Sequence, residues 1–555
     1  MELGLEEASG DERGLDLGRE SDGSTGMELG DDAVAIGTAF CTESRQLAYV
    51  STGVELGPEF GGDVAGAPSD AHAGKVRDGK RRQCGKSAGG IKRARTVGID
   101  WAPAAALSHV CPAKVLVSGG RRPRGASARC TARRSETRAV ARSMDEQFEW
   151  AHAAVSELAG RFGEAAYRRL ARRRCGISTH FSGLGTVEVA LAMLKSASQA
   201  ALRSALVAEV TSSCEQSPAL RTLLKRRSDG CLFANVFDRI ENGNALVADT
   251  CMCEKRGTEC RIQQATMEVS GSSCRPWSRM NRSPHCRGVA HPDYPAFKAW
   301  VRIMRHDSPP IIIHENVVGF RLKAMQDELG ESYAVTRLSV VLDDAGFGFI
   351  RRPRVYDVLF KRGVVSGPAL QEVYGVLVQR LRKDVSVWPD WVWKATPDEL
   401  TAALSSRRRP EESLGVDTCT WSAHLTMDQR KYITRYSALW TKVHGSNPAV
   451  AAHCLFDLSV TPEYHGVSVC DVLPTMRRRT AVWWSPLRSR WMLPREKAAC
   501  MGFPVYDDLA RASRVPLDID TIEHIAGNDS PIGNAMHIAN VGVVMLAAMF
   551  AAEWQ

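Results

Sequence analysis

The chain has 555 residues, 44% hydrophobic and 24% charged, with a formal net charge of +9, enough for about two to four domains and a sizeable core. Sixteen cysteines at this length exclude a disulfide scaffold. The acidic start, Met1-Glu2-Leu3-Gly4-Leu5-Glu6-Glu7, argues against a secretory or organellar leader, so a reducing compartment with free thiols is expected.

Charge is unevenly spread. Residues 1–72 hold sixteen acids against three bases, and residues 73–143 hold eighteen bases against three acids. The first segment would repel nucleic acid and the second attract it. Residues 1–142 are poor in aromatics and periodicity and read as a disordered arm. Lys80-Arg81-Arg82 and Lys92-Arg93-Ala94-Arg95 have the spacing of a bipartite nuclear import signal, or form a solvated basic arm on phosphate.

Order is expected from Ser143, which has capping-box spacing to Glu146. One helix is predicted from Phe148 through Leu170, ending in Arg172-Arg173-Arg174. Strands are predicted at 175–182, 205–214, 231–236, 267–270, 310–314 and 355–360, with helices after Gly185, after Cys214 and over Tyr294–Arg305. This alternation implies a Rossmann-like, doubly wound, mostly parallel α/β sheet, with ligands beyond the carboxyl ends of its strands. The apolar run Val541–Ala552 is too short to span a bilayer and reads as a core helix, so no membrane partner is expected.

Residues 364–487 break the rhythm. Eight of the thirteen tryptophans lie between Trp388 and Trp491, beside Arg407-Arg408-Arg409 and Arg477-Arg478-Arg479. Interleaved aromatics and arginines suit a nucleic-acid-reading domain, with a plain tryptophan core as the alternative. The division expected is an arm at 1–142, a catalytic domain at 143–363, a smaller irregular recognition domain at 364–487, and a segment at 488–555 completing the catalytic domain.

Three stretches carry chemistry. The turn Phe181-Ser182-Gly183-Leu184-Gly185 joins a strand to a helix, where glycine lets backbone approach a ligand. An acid closing the second strand would accept two ribose hydroxyl hydrogen bonds. Glu215 fits that place, with Glu209 the alternative. Cys274, in Gly271-Ser272-Ser273-Cys274-Arg275-Pro276-Trp277-Ser278, is a thiol nucleophile in a loop of small residues. Glu315 follows an apolar strand, where desolvation would raise its pKa and fit it to donate a proton. Arg352 and Arg354, at a strand start, can hold a polar ring edge or phosphate. Cys251, Cys253, Cys260, His285 and Cys286 fit no zinc spacing and read as ordinary loop thiols, so no metal is expected.

From about residue 175 onward the chain resembles the cytosine-5 DNA methyltransferase family. Phe181–Gly185 is similar to its first cofactor motif, and Asn235 falls where the family has an Asp against adenine. Gly271–Ser278 resembles the catalytic Pro-Cys-Gln loop, and Glu315-Asn316-Val317 matches Glu-Asn-Val. Arg352 and Arg354 match the Gln-x-Arg-x-Arg motif, Arg490–Glu496 with Met501–Pro504 the closing motif of the recognition domain, and Ile532–His537, with Asn534, the last cofactor motif. The departures are Ser273 for Pro, Arg275 for Gln, Ile350 for Gln and Asn235 for Asp.

The resemblance implies a divergent member using S-adenosylmethionine on a flipped-out cytosine in DNA, with RNA as the alternative substrate, inside a nucleus. Cys274 would attack C6, Glu315 assist at N3, and Arg352 and Arg354 hold the base. Phe181 to Gly185, Glu215, Asn235 and Asn534 would face the cofactor. A nucleic-acid-binding paralogue with weakened catalysis is the remaining alternative.

Overall fold

In a computed structural model the structure describes residues 147–552, apart from 241–245, 279–286, 341–349, 351, 364–368, 382–391, 408–419, 453, 463–472, 474, 478–481 and 526–530. The expected arm, the import-signal pair, the Ser143–Glu146 box, His285, Cys286 and most of both arginine triplets lie outside the described residues.

Seven strands form the main sheet: β1 Cys175–His180, β2 Ala208–Cys214, β3 Cys231–Phe233, β6 Met267–Ser270, β7 Ile311–Val317, β8 Tyr333–Val340 and β9 Arg354–Lys361. Between β3 and β6 an antiparallel hairpin intervenes, β4 Thr250–Cys253 and β5 Thr258–Arg261. The sheet order is β3-β2-β1-β6-β7-β9-β8, parallel from β3 to β7 and antiparallel at β9 and β8. This is the doubly wound, mostly parallel sheet expected. Strand β8 and the hairpin are additions that the sequence reading did not mark.

Both faces are covered, so the central strands are buried along nearly their whole length, polar Thr179, His180, Glu268 and His314 included. In β7, Ile311 and Ile313 enter one core and Ile312 the other, the two-residue period of a strand. The first core holds α1 Trp150–Phe162, α2 Glu164–Arg172, α3 Thr186–Leu202, α7 Leu370–Leu381 and α13 Ile538–Ala551. The second holds α5 Tyr294–Asp307 and α6 Leu322–Leu329. The single helix expected over 148–170 is two, because Gly163 adopts φ 91° and breaks it. Helix α13 is buried on nearly every side, as the run at Val541–Ala552 foretold. Its Gly542 faces the Trp150 ring so closely that a Cβ would lie 2.8 Å from Cζ2. Among the described residues no helix is long and apolar enough to cross a membrane.

The stretch expected as a recognition domain divides. Helix α7 belongs to the first core, while a third cluster gathers Tyr436, Trp440, Phe456, Trp484 and Trp491. That cluster is framed by α8 Pro397–Ser406, α9 Met427–His444 and the small antiparallel sheet β10 Phe456–Asp457, β11 Trp483–Ser485 and β12 Arg490–Trp491. Thr396 and Thr426 close full capping boxes on α8 and α9. Trp440, Trp483, Trp484 and Trp491 are buried, so these rings are core rather than stacking platforms. Arg407 lies 4.3 Å above Trp491, Arg490 lies 4.6 Å above Trp393, and Arg490 pairs with buried Glu496 at 2.6 Å. Internal cation–π and ion-pair contacts thus explain much of the aromatic–arginine pattern.

Candidate functional site

The register aligns the carboxyl ends of β1 and β6, His180 opposite Ser270, and sets Ser270 opposite His314, with β7 running on to Val317. The turn after β1, the loop after β6 and the end of β7 therefore share one edge of the sheet.

After β1 the backbone takes positive φ at Phe181 (58°), Gly183 (57°) and Gly185 (69°). Phe181 pays strain for this, which glycine avoids. Ser182 ties the turn to β2, its amide donating to the Cys214 carbonyl and its Oγ accepting from the Cys214 amide, each at 3.2 Å. Arg227, on α4 Pro218–Arg227, donates to the Leu184 carbonyl and pairs with Asp518 at 2.5 Å. A Cβ at Gly185 would meet Arg227 Cδ at 3.0 Å, so this glycine serves close packing.

Glu215 follows β2 as expected. Its carboxylate accepts from the Gly183 amide at 2.9 Å and the Ser217 amide at 2.8 Å. Glu209 sits at the opposite end of β2, exposed and paired with Arg174 at 2.8 Å, which removes it from the site. Asn235 follows β3, and its Oδ1 accepts from the Phe237 amide at 3.1 Å, capping a short 3-10 turn. Asn534 is exposed, on the loop before α13.

The cysteine loop is held from four directions. Cys274 is partly exposed with a free thiol. Its carbonyl accepts from the Trp277 amide at 3.0 Å and the Ser278 amide at 2.9 Å. Trp277 packs edge-on to Phe320 at 5.2 Å and anchors the far side of the turn. Ser273 Oγ donates to Asp293 at 2.6 Å and accepts from the Arg275 amide at 3.4 Å. This polar brace stands where a proline ring was expected to stiffen the loop. Ser272 bonds His314 at 2.8 Å and accepts from Asn316 at 3.2 Å. Asn316 belongs to the Glu315-Asn316-Val317 motif, but its bond to Ser272, like that of His314, was not foreseen, because only β6–β7 pairing brings them together.

Glu315 lies within β7 rather than after it, since the strand runs on to Val317. Arg354 Nε is 2.7 Å from its Oε1, both side chains largely buried. A Cβ at Gly271 would lie 3.4 Å from Glu315 Oε2 and 2.8 Å from Met536, so the cysteine loop passes directly over the carboxylate. Tyr356, opposite Glu315 in the register, is held well above its usual pKa by burial first and the Glu315 charge second.

Arg352 is buried, and its guanidinium donates to the Gly533 carbonyl at 3.3 Å and the Ala535 carbonyl at 2.5 Å. Burial and then Arg354 draw it down to about 10, leaving it cationic at neutral pH. Both arginines thus have protein partners here: Arg352 clamps the 531–537 loop, and Arg354 pairs with Glu315. That loop ends at His537, fully buried with neither ring nitrogen partnered, and pulled to about 3 by burial and Arg352.

A second network lies under the site. Glu268, fully buried on β6, accepts from Ser178 at 2.5 Å and Trp300 at 3.1 Å and meets His180 at 2.9 Å. Sequence spacing gave no sign of it. Ser178 and Glu268 are neighbours only through the β1–β6 register.

The donor set suits the cofactor named by the resemblance. A carboxylate ends β2, an amide follows β3, backbone turns sharply at Gly183, and Ser270 Oγ is buried without a partner at the β6 end.

No family model and no curated protein matches the chain. Among solved structures it is similar to the Dnmt2 methyltransferase of S. pombe, at 12% identity over 68% of this chain and 98% of that one, TM-score 0.36. It is also similar to a putative DNA modification methyltransferase of an E. coli prophage, at 14% identity over 67% and 99%, TM-score 0.34. A third is a Spodoptera frugiperda DNMT2 mutant, at 13% over 68% and 99%, TM-score 0.33.

Proposed function

We propose that this chain transfers a methyl group to C5 of cytosine in DNA. The observation carrying the reading is the approach of the Cys274 loop to the Glu315 carboxylate, beside the Phe181–Gly185 turn and beneath the loop clamped by Arg352. A thiol and a carboxyl group facing one space can act on opposite parts of a pyrimidine ring. When bound, S-adenosylmethionine supplies the electrophilic methyl group. Glu215 would hold its ribose, Asn235 its adenine, and Asn534 would lie over it from the loop before α13.

The target base has to leave the duplex to reach this site. The Cys274 thiolate adds to C6, forming a carbon–sulfur bond, while Glu315 donates a proton toward N3. C5 then carries the electron pair that takes the methyl group. A base removes the C5 proton, the carbon–sulfur bond breaks as N3 gives its proton back to Glu315, and the thiolate leaves. Covalent addition divides one hard substitution into two easier steps. Arg354 positions Glu315, and Ser272 and Ser273 hold the thiol loop.

The test is a duplex bearing 5-fluorocytosine, incubated with the chain and S-adenosylmethionine. A denaturant-stable adduct is expected, and it disappears in Cys274→Ala. Absence of the adduct, or its survival in that variant, sinks the nucleophile. Parallel transfer assays on DNA and RNA decide the substrate. The basic pair at 80–95 supports work in the nucleus, checked by imaging a fluorescent fusion with and without those residues.

A further inference from the structure

Away from the site, at the edge of the main sheet, three thiols converge. Cys231 opens β3, Cys253 ends β4 and Cys260 lies in β5. Their sulfur atoms all lie within 4.8 Å of one another, and all three residues are buried. The chain brings them together in two steps. The β4–β5 turn closes on Gly257, at φ 66°, whose amide donates to the Cys253 carbonyl at 2.8 Å. The hairpin then fastens to β3 through the Glu254 amide, which donates to the Leu232 carbonyl at 2.7 Å.

One feature goes beyond the packing of three small apolar residues: Arg256 brings a guanidinium nitrogen to 3.8 Å from the Cys260 sulfur, a cation beside the thiol cluster. Tetrahedral zinc–thiolate bonds of about 2.3 Å set sulfur atoms roughly 3.8 Å apart. The observed cluster needs only a small contraction to reach that. Cys251 faces Cys260 directly across the hairpin and shares the buried face of β4 with Cys253, so it is the protein group best placed for a fourth position.

We propose that Cys231, Cys253 and Cys260 form a structural zinc site that bolts the β4–β5 hairpin to β3. Thiolate ligands favour zinc over hard cations. Its place gives it a purpose. Asn235 lies just beyond β3, so a metal here would stiffen the strand end that presents that side chain. The proposal is independent of the methyl-transfer reading and stands or falls separately.

The test uses the full chain, purified under reducing conditions without a histidine tag and dialysed against metal-free buffer. Elemental analysis is expected to find about one zinc per chain, with cobalt exchange giving the visible and near-ultraviolet bands of tetrahedral thiolate coordination. Cys253→Ser and Cys260→Ser should each lose most of that metal, while Cys454→Ser and Cys500→Ser, buried thiols elsewhere, retain it. Should the site variants fail to fold, the wild-type chain still decides: a strong chelator should lower its melting temperature, and added zinc restore it. A metal-free wild-type chain, zinc retained in Cys253→Ser, or a melting temperature indifferent to chelator overturns the proposal.

Discussion

Replacing Arg354 by Leu strips Glu315 of its counter-charge at a place where the carboxylate is only 8% exposed. Nε and Oε1 stand 2.7 Å apart with both side chains largely out of water. Removing one member of such a pair leaves an uncompensated buried charge, at a cost of about 3–5 kcal/mol. Against a typical total of about 5–15 kcal/mol, that is a large fraction of the fold's stability. Removing both charges, in Glu315→Leu with Arg354→Leu, leaves no orphan and should cost far less than the two single changes summed. Urea unfolding of the four proteins gives the cycle, read from midpoints at constant slope. Arg354→Lys belongs in the same series. It keeps the charge but not the fixed fork of the guanidinium, so it should fold well and form the fluorocytosine adduct slowly. Additive single costs below about 1 kcal/mol would mean that water screens the pair, and the positioning of Glu315 by Arg354 would have to be abandoned.

Gly542→Ala should destabilise the chain by about 1–3 kcal/mol, despite the better helix propensity of alanine, because the new Cβ meets the Trp150 ring. A thermal melt unchanged or raised would contradict that packing. Glu215→Ala removes the acceptor of the Gly183 and Ser217 amides. Binding of S-adenosylmethionine measured by calorimetry should weaken about tenfold or more, and unchanged affinity would separate Glu215 from the cofactor. His314 and His537 are both pulled to about 3, chiefly by burial. Each is neutral when folded, while its unfolded form takes a proton below about 6.5, so stability is full above that pH and falls as pH drops toward 3. At pH 5 the loss is about 2 kcal/mol for each histidine, and His537→Leu should lessen the drop in unfolding free energy between pH 7.5 and 5 by about that much. An equal drop in wild type and variant would count against a buried neutral ring. Deleting residues 1–72, with their excess of acids, should tighten DNA binding at low salt and matter little at high salt. Equal affinity with and without the segment would remove its charge from the account.

The parallel strands were legible because each is a short run between turn residues that alternates with a helix. Met267–Ser270 kept both of its predicted ends. The positions of Glu215 just after β2 and of Cys274 in the loop after β6 followed from local order, whereas Glu315 lies inside β7 rather than after it. What escaped depends on distance along the chain. Ser273, the departure from Pro, is braced by Asp293 from the segment before α5, a contact that twenty residues of separation hide. The arginines looked free to meet a ligand until the register set Arg354 against Glu315 and the late loop reached Arg352. The tryptophans between 388 and 491 invited an outward reading, yet their pattern does not say which way a ring faces. Cys231 was not grouped with Cys253 and Cys260 because the strand pairing that joins them leaves no regular spacing in sequence.

Helix α13 has a consequence for how the protein comes into being. It fills the space between α1, α3 and α7, and those helices emerge from the ribosome long before it. Until Ile538–Ala551 is made, the apolar faces waiting for it stay open to water and to other nascent chains. Assembly of this core therefore waits for the helix, with a window in which chaperones have a surface to hold. Loss of the helix by premature termination would leave every motif residue before it intact in sequence and would still yield an aggregation-prone product.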